Sequence, residues 1–334
     1  MRYLRKMMQW LAALMAGFCF VNLLCFGYER PAGWLDTPNG PSPAGWNPGA
    51  VLIHGSEGYG IAKVDENGYL NPDGVLQENY ILCMGSSHTG GKEVASDKKY
   101  TSLLNAYFSQ GEGQLAAYNI ACDGNYLPSL IKHFSAAMDT FPDAGTVIIE
   151  IFNTDFSSEE IQSSMEQVSY DEKTSARNQK QSLGVVQKAK ILIKEYFPLL
   201  ALIKSKLETM QAGEGTSVSE AIEDTQQADT IRDALQMMRQ AYAGEMIFLY
   251  HPSVTVSASG EMSCVYDDFF DTFQNLCEEN SICVIDMGDA FLENYQKENT
   301  LPYGFMNTAP GVGHLNATGH RLIAEALIEK IQGR

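Results

Sequence analysis

The chain has 334 residues, 45% of them hydrophobic and 19% charged, which is typical of a folded protein with a sizeable core. Its formal net charge of −18 argues against a nucleic-acid partner, because phosphate binding needs clustered Lys and Arg side chains. After an N-terminal segment, one large domain is expected rather than two, since α/β domains often reach this length.

The first 28 residues predict a membrane-spanning helix. Arg2, Arg5 and Lys6 precede an apolar run over residues 10–28, which is long enough to cross a bilayer. Basic residues before a span place that end in the cytoplasm, so the rest of the chain should be outside. We predict a single-pass, uncleaved signal anchor in residues 1–28, with secretion after signal cleavage as the alternative.

Residues 29–72 are rich in Gly, Pro, Asn and Trp. This composition predicts an extended extracytoplasmic linker that becomes ordered loop or short strand near residues 51–54 and 60–64. The remaining residues, 73–334, are predicted to form the main domain.

The stretch Tyr80–Lys92 reads Y-I-L-C-M-G-S-S-H-T-G-G-K. Its apolar run, Tyr80–Met84, is typical of a buried parallel strand. The carboxyl end of such a strand is where α/β folds place their chemistry. Ser87 would follow the strand tip in a sharp turn. Ordinary turn chemistry explains Gly-Ser-Ser equally well when it is taken alone.

The same pattern is repeated along the chain. Apolar runs at 114–122 and 145–152 predict two further strands, ending near Gly124 and Asn153, with helices at about 100–109 and 127–140 between the strands. Strands alternating with helices predict a doubly wound, mainly parallel sheet flanked by helices. Ser87, Gly124 and Asn153 should therefore share one edge of that sheet.

Residues 157–242 are polar and helix-prone, and they interrupt the sheet pattern as a helical insertion. Residues 183–207 within them are amphipathic. This pattern indicates either a cap over the catalytic edge or a helix on the membrane surface, and we favour the cap. The sheet pattern resumes with strands at 245–250 and 281–285. It is followed by Asp286 and Asp289, by a loop containing His314, and by a closing helix at about 321–331.

Four short sequence blocks resemble, in their order along the chain, the blocks of the SGNH (GDSL-type) hydrolase superfamily. Gly85-Ser86-Ser87 resembles the first block, Asn119–Gly124 the second, Asn153-Thr154-Asp155 the third and His314-Leu315-Asn316 the last. The resemblance implies a flavodoxin-like α/β fold with Ser87 as nucleophile and His314 as general base. It also implies an oxyanion hole from the Ser87 and Gly124 backbone N–H groups and the Asn153 side chain.

The chain departs from the family pattern at one important position. The family commonly has Asp three residues before the catalytic His, and here that residue is Gly311. A backbone carbonyl could serve instead, as in a Ser–His dyad, or another carboxylate could complete a triad. Asp286 and Asp289 are the candidates, and Asp155 is a weaker one. Ser86 also stands where Asp is common.

These features predict an extracytoplasmic esterase or acyltransferase acting on an ester-linked acyl group, with acetyl on a cell-surface glycan as the substrate inferred from location. The alternative is a catalytically silent domain that binds a polysaccharide or an envelope assembly partner. No nucleotide-binding glycine fingerprint and no clustered metal ligands occur in the sequence, so neither a cofactor nor a metal is expected.

Overall fold

A computed structural model describes residues 2–30, 34–36, 44–71, 79–109, 115–174, 196–200, 202–204 and 224–333 of the chain. The strands in chain order are β1 Trp34–Asp36, β2 Ala44–Trp46, β3 Val51–His54, β4 Gly60–Lys63, β5 Tyr80–Met84, β6 Ala116–Asn119, β7 Ala144–Ile151, β8 Glu245–Tyr250, β9 Ser253–Val256, β10 Met262–Val265 and β11 Cys283–Asp286. The helices are α1 Arg2–Cys25, α2 Ser87–Gly90, α3 Tyr100–Phe108, α4 Leu127–Thr140, α5 Ser158–Thr174, α6 Asp224–Ala241, α7 Phe270–Glu279, α8 Gly288–Glu298 and α9 Ala317–Gln332.

The central sheet has five strands in the order β11-β8-β7-β5-β6, and every neighbouring pair in it is parallel. Counted along the chain, this is the 2-1-3-4-5 order of flavodoxin-like folds. The predicted doubly wound, parallel fold class is confirmed. In such a sheet the order in which strands are added reverses between the neighbouring first and third strands, here β5 and β7. Ligands bind outside the carboxyl ends of the strands at this switch point.

Helices cover both faces of the sheet, so its strands are apolar on both sides. On one face, α4, α5, α6 and α7 pack through buried residues such as Phe134, Ile161, Leu235 and Phe273. On the other face, α3, α8 and α9 pack through Leu104, Phe291, Ile323 and others. These two layers fix the strand ends, and thus the loops that follow them.

The predicted linker contains folded structure at the two predicted positions. The strands β3 and β4 pair antiparallel as a hairpin. A small core of its own holds this region to β2, with Trp46, Leu52 and Leu70 buried in it. The loop between β3 and β4, residues 55–59, is therefore anchored at both ends.

The described part of the helical insertion does not form a cap over the catalytic edge. Ile161 of α5 and Ile231 and Leu235 of α6 are buried in the same core as α4, so these helices belong to the layer that flanks the sheet. The cap expectation was wrong for α5 and α6 because their apolar stripes are needed to cover this face. Most of the amphipathic stretch 183–207 lies outside the described residues.

The helix α1 is long and apolar enough to cross a membrane, with a mean hydropathy of 1.7 over its best window. A signal sequence would satisfy the same criterion. Asn22 near its end accepts a hydrogen bond from the Leu199 N–H and donates one to the Tyr196 carbonyl. Residues 196–200 therefore lie against the C-terminal part of α1.

Candidate active site

The loop after β5 places Ser87 at the first residue of the short helix α2. Ser86 caps that helix, and its hydroxyl accepts a hydrogen bond from the His88 N–H at 3.2 Å. The first N–H groups of a helix have no acceptor within the helix, and the Ser87 N–H is one of these groups. Ser87 itself is half-buried at the carboxyl edge of the sheet.

His314 lies against this serine. The His314 Nε2 atom is 2.8 Å from the Ser87 hydroxyl oxygen, although the two residues are 227 positions apart in the chain. On the other side of the ring, Nδ1 is 2.6 Å from the Glu57 carboxylate, which also accepts the His314 backbone N–H at 2.7 Å. A carboxylate only accepts, so Nδ1 carries the proton and Nε2 faces the serine hydroxyl as an acceptor. This is the geometry of a serine activated by an imidazole base.

Glu57 therefore occupies the position expected for Asp286 or Asp289. Those two aspartates are exposed at and after the end of β11, and the Asp286 carboxylate accepts hydrogen bonds from Tyr266 and from the Gly288 N–H. Neither contacts His314. The expectation was wrong because the acid comes from the β3–β4 loop, far upstream, rather than from a strand end of the sheet.

Gly313 allows Glu57 to approach the histidine backbone. Its φ of +94° is in the left-handed region, and a Cβ atom built on it would lie 2.2 Å from the Glu57 Oε1 atom. Any side chain at this position would displace the carboxylate. The absence of a side chain at Gly313 is thus required for the contact between Glu57 and His314.

The charges of this pair reinforce each other. Burial alone would raise the pKa of Glu57, but the hydrogen bonds and charge of His314 lower it, so Glu57 is ionised. Burial alone would lower the pKa of His314, but the hydrogen bond to Glu57 and the charge of Glu93 raise it. The site therefore favours the protonated imidazole that forms when a serine gives up its proton.

The three loops that carry Ser87, Gly124 and Asn153 follow adjacent strands, since β5 lies between β6 and β7. Gly124 lies in a turn closed by a hydrogen bond from the Asn125 N–H to the Cys122 carbonyl at 3.1 Å. The Asn153 side-chain oxygen accepts the Asp155 N–H at 2.8 Å, which leaves its amide nitrogen as the remaining donor. The three loops therefore lie beside one another at the carboxyl edge of the sheet.

A fully buried carboxylate supports the serine turn from below. Glu150 of β7 accepts hydrogen bonds from the Ser86 N–H at 2.8 Å and the Ser86 hydroxyl at 2.9 Å. It also accepts the Thr89 hydroxyl at 2.9 Å and lies 3.0 Å from His251 Nε2. Although burial raises the pKa of Glu150, the hydrogen bond and charge of His251, with the other donors, lower it to about 2. This charge fixes the residues on both sides of Ser87.

Two more side chains tie the loops together. The His88 Nδ1 atom accepts the Leu315 N–H at 3.2 Å, so His88 joins the serine turn to the histidine loop and is not itself the base. Asn119 donates to the Thr89 carbonyl at 2.8 Å and accepts the Ala121 N–H, which links the serine turn to the Gly124 loop.

Asp267 holds the third loop. It accepts the Thr154 N–H at 2.7 Å and the Thr154 hydroxyl at 3.2 Å, directly after Asn153. The Tyr250 hydroxyl at the end of β8 also donates to this carboxylate. The position of the Asn153 amide thus depends on a residue more than a hundred positions downstream.

A second carboxylate lies near the imidazole on its serine side. Glu93 is 1% exposed, and its Oε1 atom is 3.7 Å from His314 Nε2 and 3.9 Å from His54 Nε2. That oxygen has no hydrogen-bond partner among the described residues. Burial raises the pKa of Glu93, against the opposing charges of His314, Lys92 and His54.

A cavity of about 640 Å³ lies beside the histidine loop. Glu93 and Asn316 contribute polar groups to its wall, and Tyr59, Phe305 and Met306 contribute apolar ones. Its volume falls within the range of small-molecule sites, roughly 300–1,000 Å³. The cavity is large enough for a sugar ring or a short acyl chain.

Within the described part of the chain, no group of three or more His, Cys, Asp or Glu side chains is arranged to hold a metal ion.

Comparisons with known proteins give structural similarities only. No family model and no curated protein matches the chain. A psychrotrophic esterase from Pseudoalteromonas is 10% identical, with a TM-score of 0.41 over 76% of this chain and 97% of that one. A member of the lipolytic G-D-S-L family from Veillonella parvula is 13% identical, with a TM-score of 0.37 over 76% and 98%. An acetyl xylan esterase is 14% identical, with a TM-score of 0.40 over 75% and 99%. At this level the similarities add nothing to the geometry of the site.

Sequence reasoning missed the two carboxylates that matter most here. Glu57 lies in G-S-E-G-Y-G, an acid between glycines in a loop that closes a hairpin. Glu150 is the one charged residue of β7. An ionisable side chain within an otherwise buried strand needs partners, and that was the signal available for Glu150.

Proposed function

We propose that this chain is a membrane-anchored, extracytoplasmic serine hydrolase of the SGNH type that cleaves or transfers an ester-linked acyl group. The observation that carries the proposal is the continuous set of hydrogen bonds from Ser87 through His314 to Glu57. A serine hydroxyl is a poor nucleophile without such a base.

In the first half of the reaction, the Ser87 oxygen attacks the ester carbonyl carbon and its proton passes to His314 Nε2. Glu57 keeps Nδ1–H in place and stabilises the imidazolium that forms. The Ser87 and Gly124 N–H groups and the Asn153 amide stabilise the oxyanion, each donor being worth about 3–4 kcal/mol in comparable sites. Collapse of the intermediate breaks the bond to the leaving alkoxide, which takes the proton from Nε2 and leaves acyl-Ser87.

The second half differs between an esterase and a transferase only in the nucleophile. Water or an acceptor hydroxyl gives its proton to His314 Nε2 and attacks the acyl carbon, which releases Ser87 with its proton restored. The cavity lined by Glu93 and Asn316 lies beside the histidine loop, and its volume would suit the acceptor or the alcohol part of the ester, although Ser87 and His314 are not in its wall.

The substrate class is inferred from location. Basic residues in the first turns of α1, before its apolar run, favour a cytoplasmic N-terminus and an exterior domain, where acetylated glycans occur. An acylated carbohydrate or a small ester is therefore the proposed substrate, with the membrane as the partner of α1. A secreted form after signal cleavage is the alternative for location.

The runner-up, a silent domain that binds a polysaccharide or an envelope partner, was motivated by the missing acid at Gly311. Because Glu57 lies against His314, that motivation is weaker. One assay distinguishes the serine hydrolase from the silent domain.

The assay is hydrolysis of p-nitrophenyl acetate and release of acetate from an acetylated polysaccharide by the full-length chain in detergent, with Ser87→Ala as control. We expect hydrolysis that depends on Ser87. Absence of hydrolysis by folded wild-type protein would favour the silent domain. Faster transfer of acetyl to added sugar than to water would identify a transferase.

A further inference from the structure

The segment that follows the N-terminal helix runs directly onto the loop that carries Glu57. Arg30 and Ile53 exchange two backbone hydrogen bonds of 2.7 and 2.9 Å. The Tyr59 hydroxyl donates to the Gly27 carbonyl at 3.1 Å. A Cβ atom built on Gly55 would lie 2.4 Å from the Tyr28 carbonyl oxygen, so the two chain segments touch without space for a side chain.

Glu29 makes the central contacts of this junction. Its Oε2 atom accepts the Gly55 N–H at 3.1 Å and the Ser56 N–H at 3.2 Å. Its Oε1 atom is 3.3 Å from His54 Nδ1. One carboxylate therefore binds two consecutive backbone amides, and the next residue in the chain is Glu57.

The loop is held from its other side by Asn307. The Asn307 side chain accepts the Gly58 N–H at 2.9 Å and donates to the Gly55 carbonyl at 2.9 Å. Glu29 and Asn307 thus fix both flanks of Glu57. Among the residues that the structure describes, only Glu29 connects the loop to the segment after α1 by a charged group.

We propose that Glu29 is a positioning residue for Glu57, so that the segment 26–30 next to the membrane helix is part of the catalytic apparatus. The inference rests on the proposed function. Glu29 lies four residues beyond the end of α1, a reach of at most about 14 Å for an extended chain. The catalytic acid is therefore held close to the membrane surface. Cleavage that removed Glu29 together with α1 would lower the activity of the site.

The test uses the full-length chain in lipid nanodiscs and p-nitrophenyl acetate, with four variants: Glu29→Gln, Glu57→Gln, the double variant, and Glu66→Gln, in the turn that follows β4, as matched control. Small displacements of catalytic groups cost up to about a hundredfold, so we expect Glu29→Gln to lower kcat by roughly ten- to a hundredfold with a smaller change in KM. Glu66 is exposed, and its variant should match wild type.

Two readouts separate positioning from general stability. If Glu29 acts through Glu57, the double variant is no slower than Glu57→Gln alone, because the second change has nothing left to disturb. The acidic limb of the kcat/KM profile should also move to lower pH in Glu29→Gln, since His314 loses part of the interaction that raises its pKa.

Losses that multiply in the double variant, or wild-type activity in Glu29→Gln, would overturn the inference. If Glu29→Gln does not fold, Glu29→Asp keeps the charge and should give a smaller loss with the same non-additivity; multiplying losses there would overturn it too. Wild-type protein without Ser87-dependent hydrolysis would instead overturn the proposed function, and the inference with it.

Discussion

The site is assembled from two regions that differ in how they are built. Ser87, Gly124 and Asn153 come from loops after three adjacent strands of one parallel sheet. Glu57 comes from a separate antiparallel hairpin, and Glu29 holds that hairpin from the chain after α1. In the reaction that we propose, the sheet edge presents the nucleophile, whereas the hairpin supplies the charge that orients the base. The chemistry of the edge thus depends on a segment outside the sheet.

The largest effect should come from the hairpin acid. Glu57→Gln keeps the shape of the side chain but removes the charge that orients the Nδ1 proton, so we expect kcat for ester hydrolysis to fall by about 10³–10⁴-fold. Asp286→Asn is the matched control and should leave kcat unchanged. A large loss in Asp286→Asn with little loss in Glu57→Gln would show that the hairpin is not the source of the acid.

The next effect concerns the support of the sheet edge. Glu150 has a pKa of about 2 in the fold against an ordinary value of 4.5, which corresponds to about 3 kcal/mol of stability. Because the folded value is the lower one, this stability is present above pH 4.5 and is lost as the pH falls toward 2. We expect Glu150→Gln to be less stable at pH 7 and to lose less stability on acidification to pH 3.

Denaturant unfolding of both proteins at pH 7 and pH 3 measures this difference. Parallel acid dependence in wild type and Glu150→Gln would contradict the role given to the buried carboxylate.

An effect of comparable free energy is expected at the proposed oxyanion donors of the sheet edge. Removing one side-chain donor from such a site costs about 10²–10³-fold in kcat. We expect Asn153→Ala to lower kcat by that amount with a KM near wild type. A variant that changed KM alone would assign Asn153 to substrate binding instead.

The smallest effect concerns Glu93, where the two regions meet. Against burial, the hydrogen bond to Glu57 and the charge of Glu93 raise the pKa of His314 above its ordinary 6.5, so wild-type kcat/KM should begin to fall at a pH above that value. Glu93→Gln should move this acidic limb to lower pH with little change in the plateau. A limb that stays in place would remove Glu93 from the electrostatics of the base.

The sequence could predict the strands of the sheet edge but not the contacts of the β3–β4 hairpin. The strands β5 and β8 were predicted to the residue, because uninterrupted apolar runs with polar ends are characteristic of buried parallel strands. Ser87 follows a predicted strand and His314 precedes the last helix, but their pairing was predicted from the resemblance to the SGNH blocks; the structure brings the two side chains within 2.8 Å.

Glu57 could not be found this way. Its contact with His314 joins residues 257 positions apart, and it depends on how a short hairpin docks on the domain rather than on any local periodicity. The cap expectation for α5 and α6 was wrong because a polar, helix-prone stretch does not show which surface of the domain its apolar stripe covers; the structure packs that stripe beside α4.

The central claim is that Ser87 is activated by a His314 base that Glu57 orients. The most direct measurement is the rate at which a fluorophosphonate labels the full-length chain at pH 7, in wild type, Ser87→Ala, Glu57→Gln and Asp286→Asn. We expect rapid labelling of wild type and Asp286→Asn, slow labelling of Glu57→Gln and no labelling of Ser87→Ala. Labelling that persists in Ser87→Ala, or folded wild-type protein that is not labelled, would contradict it.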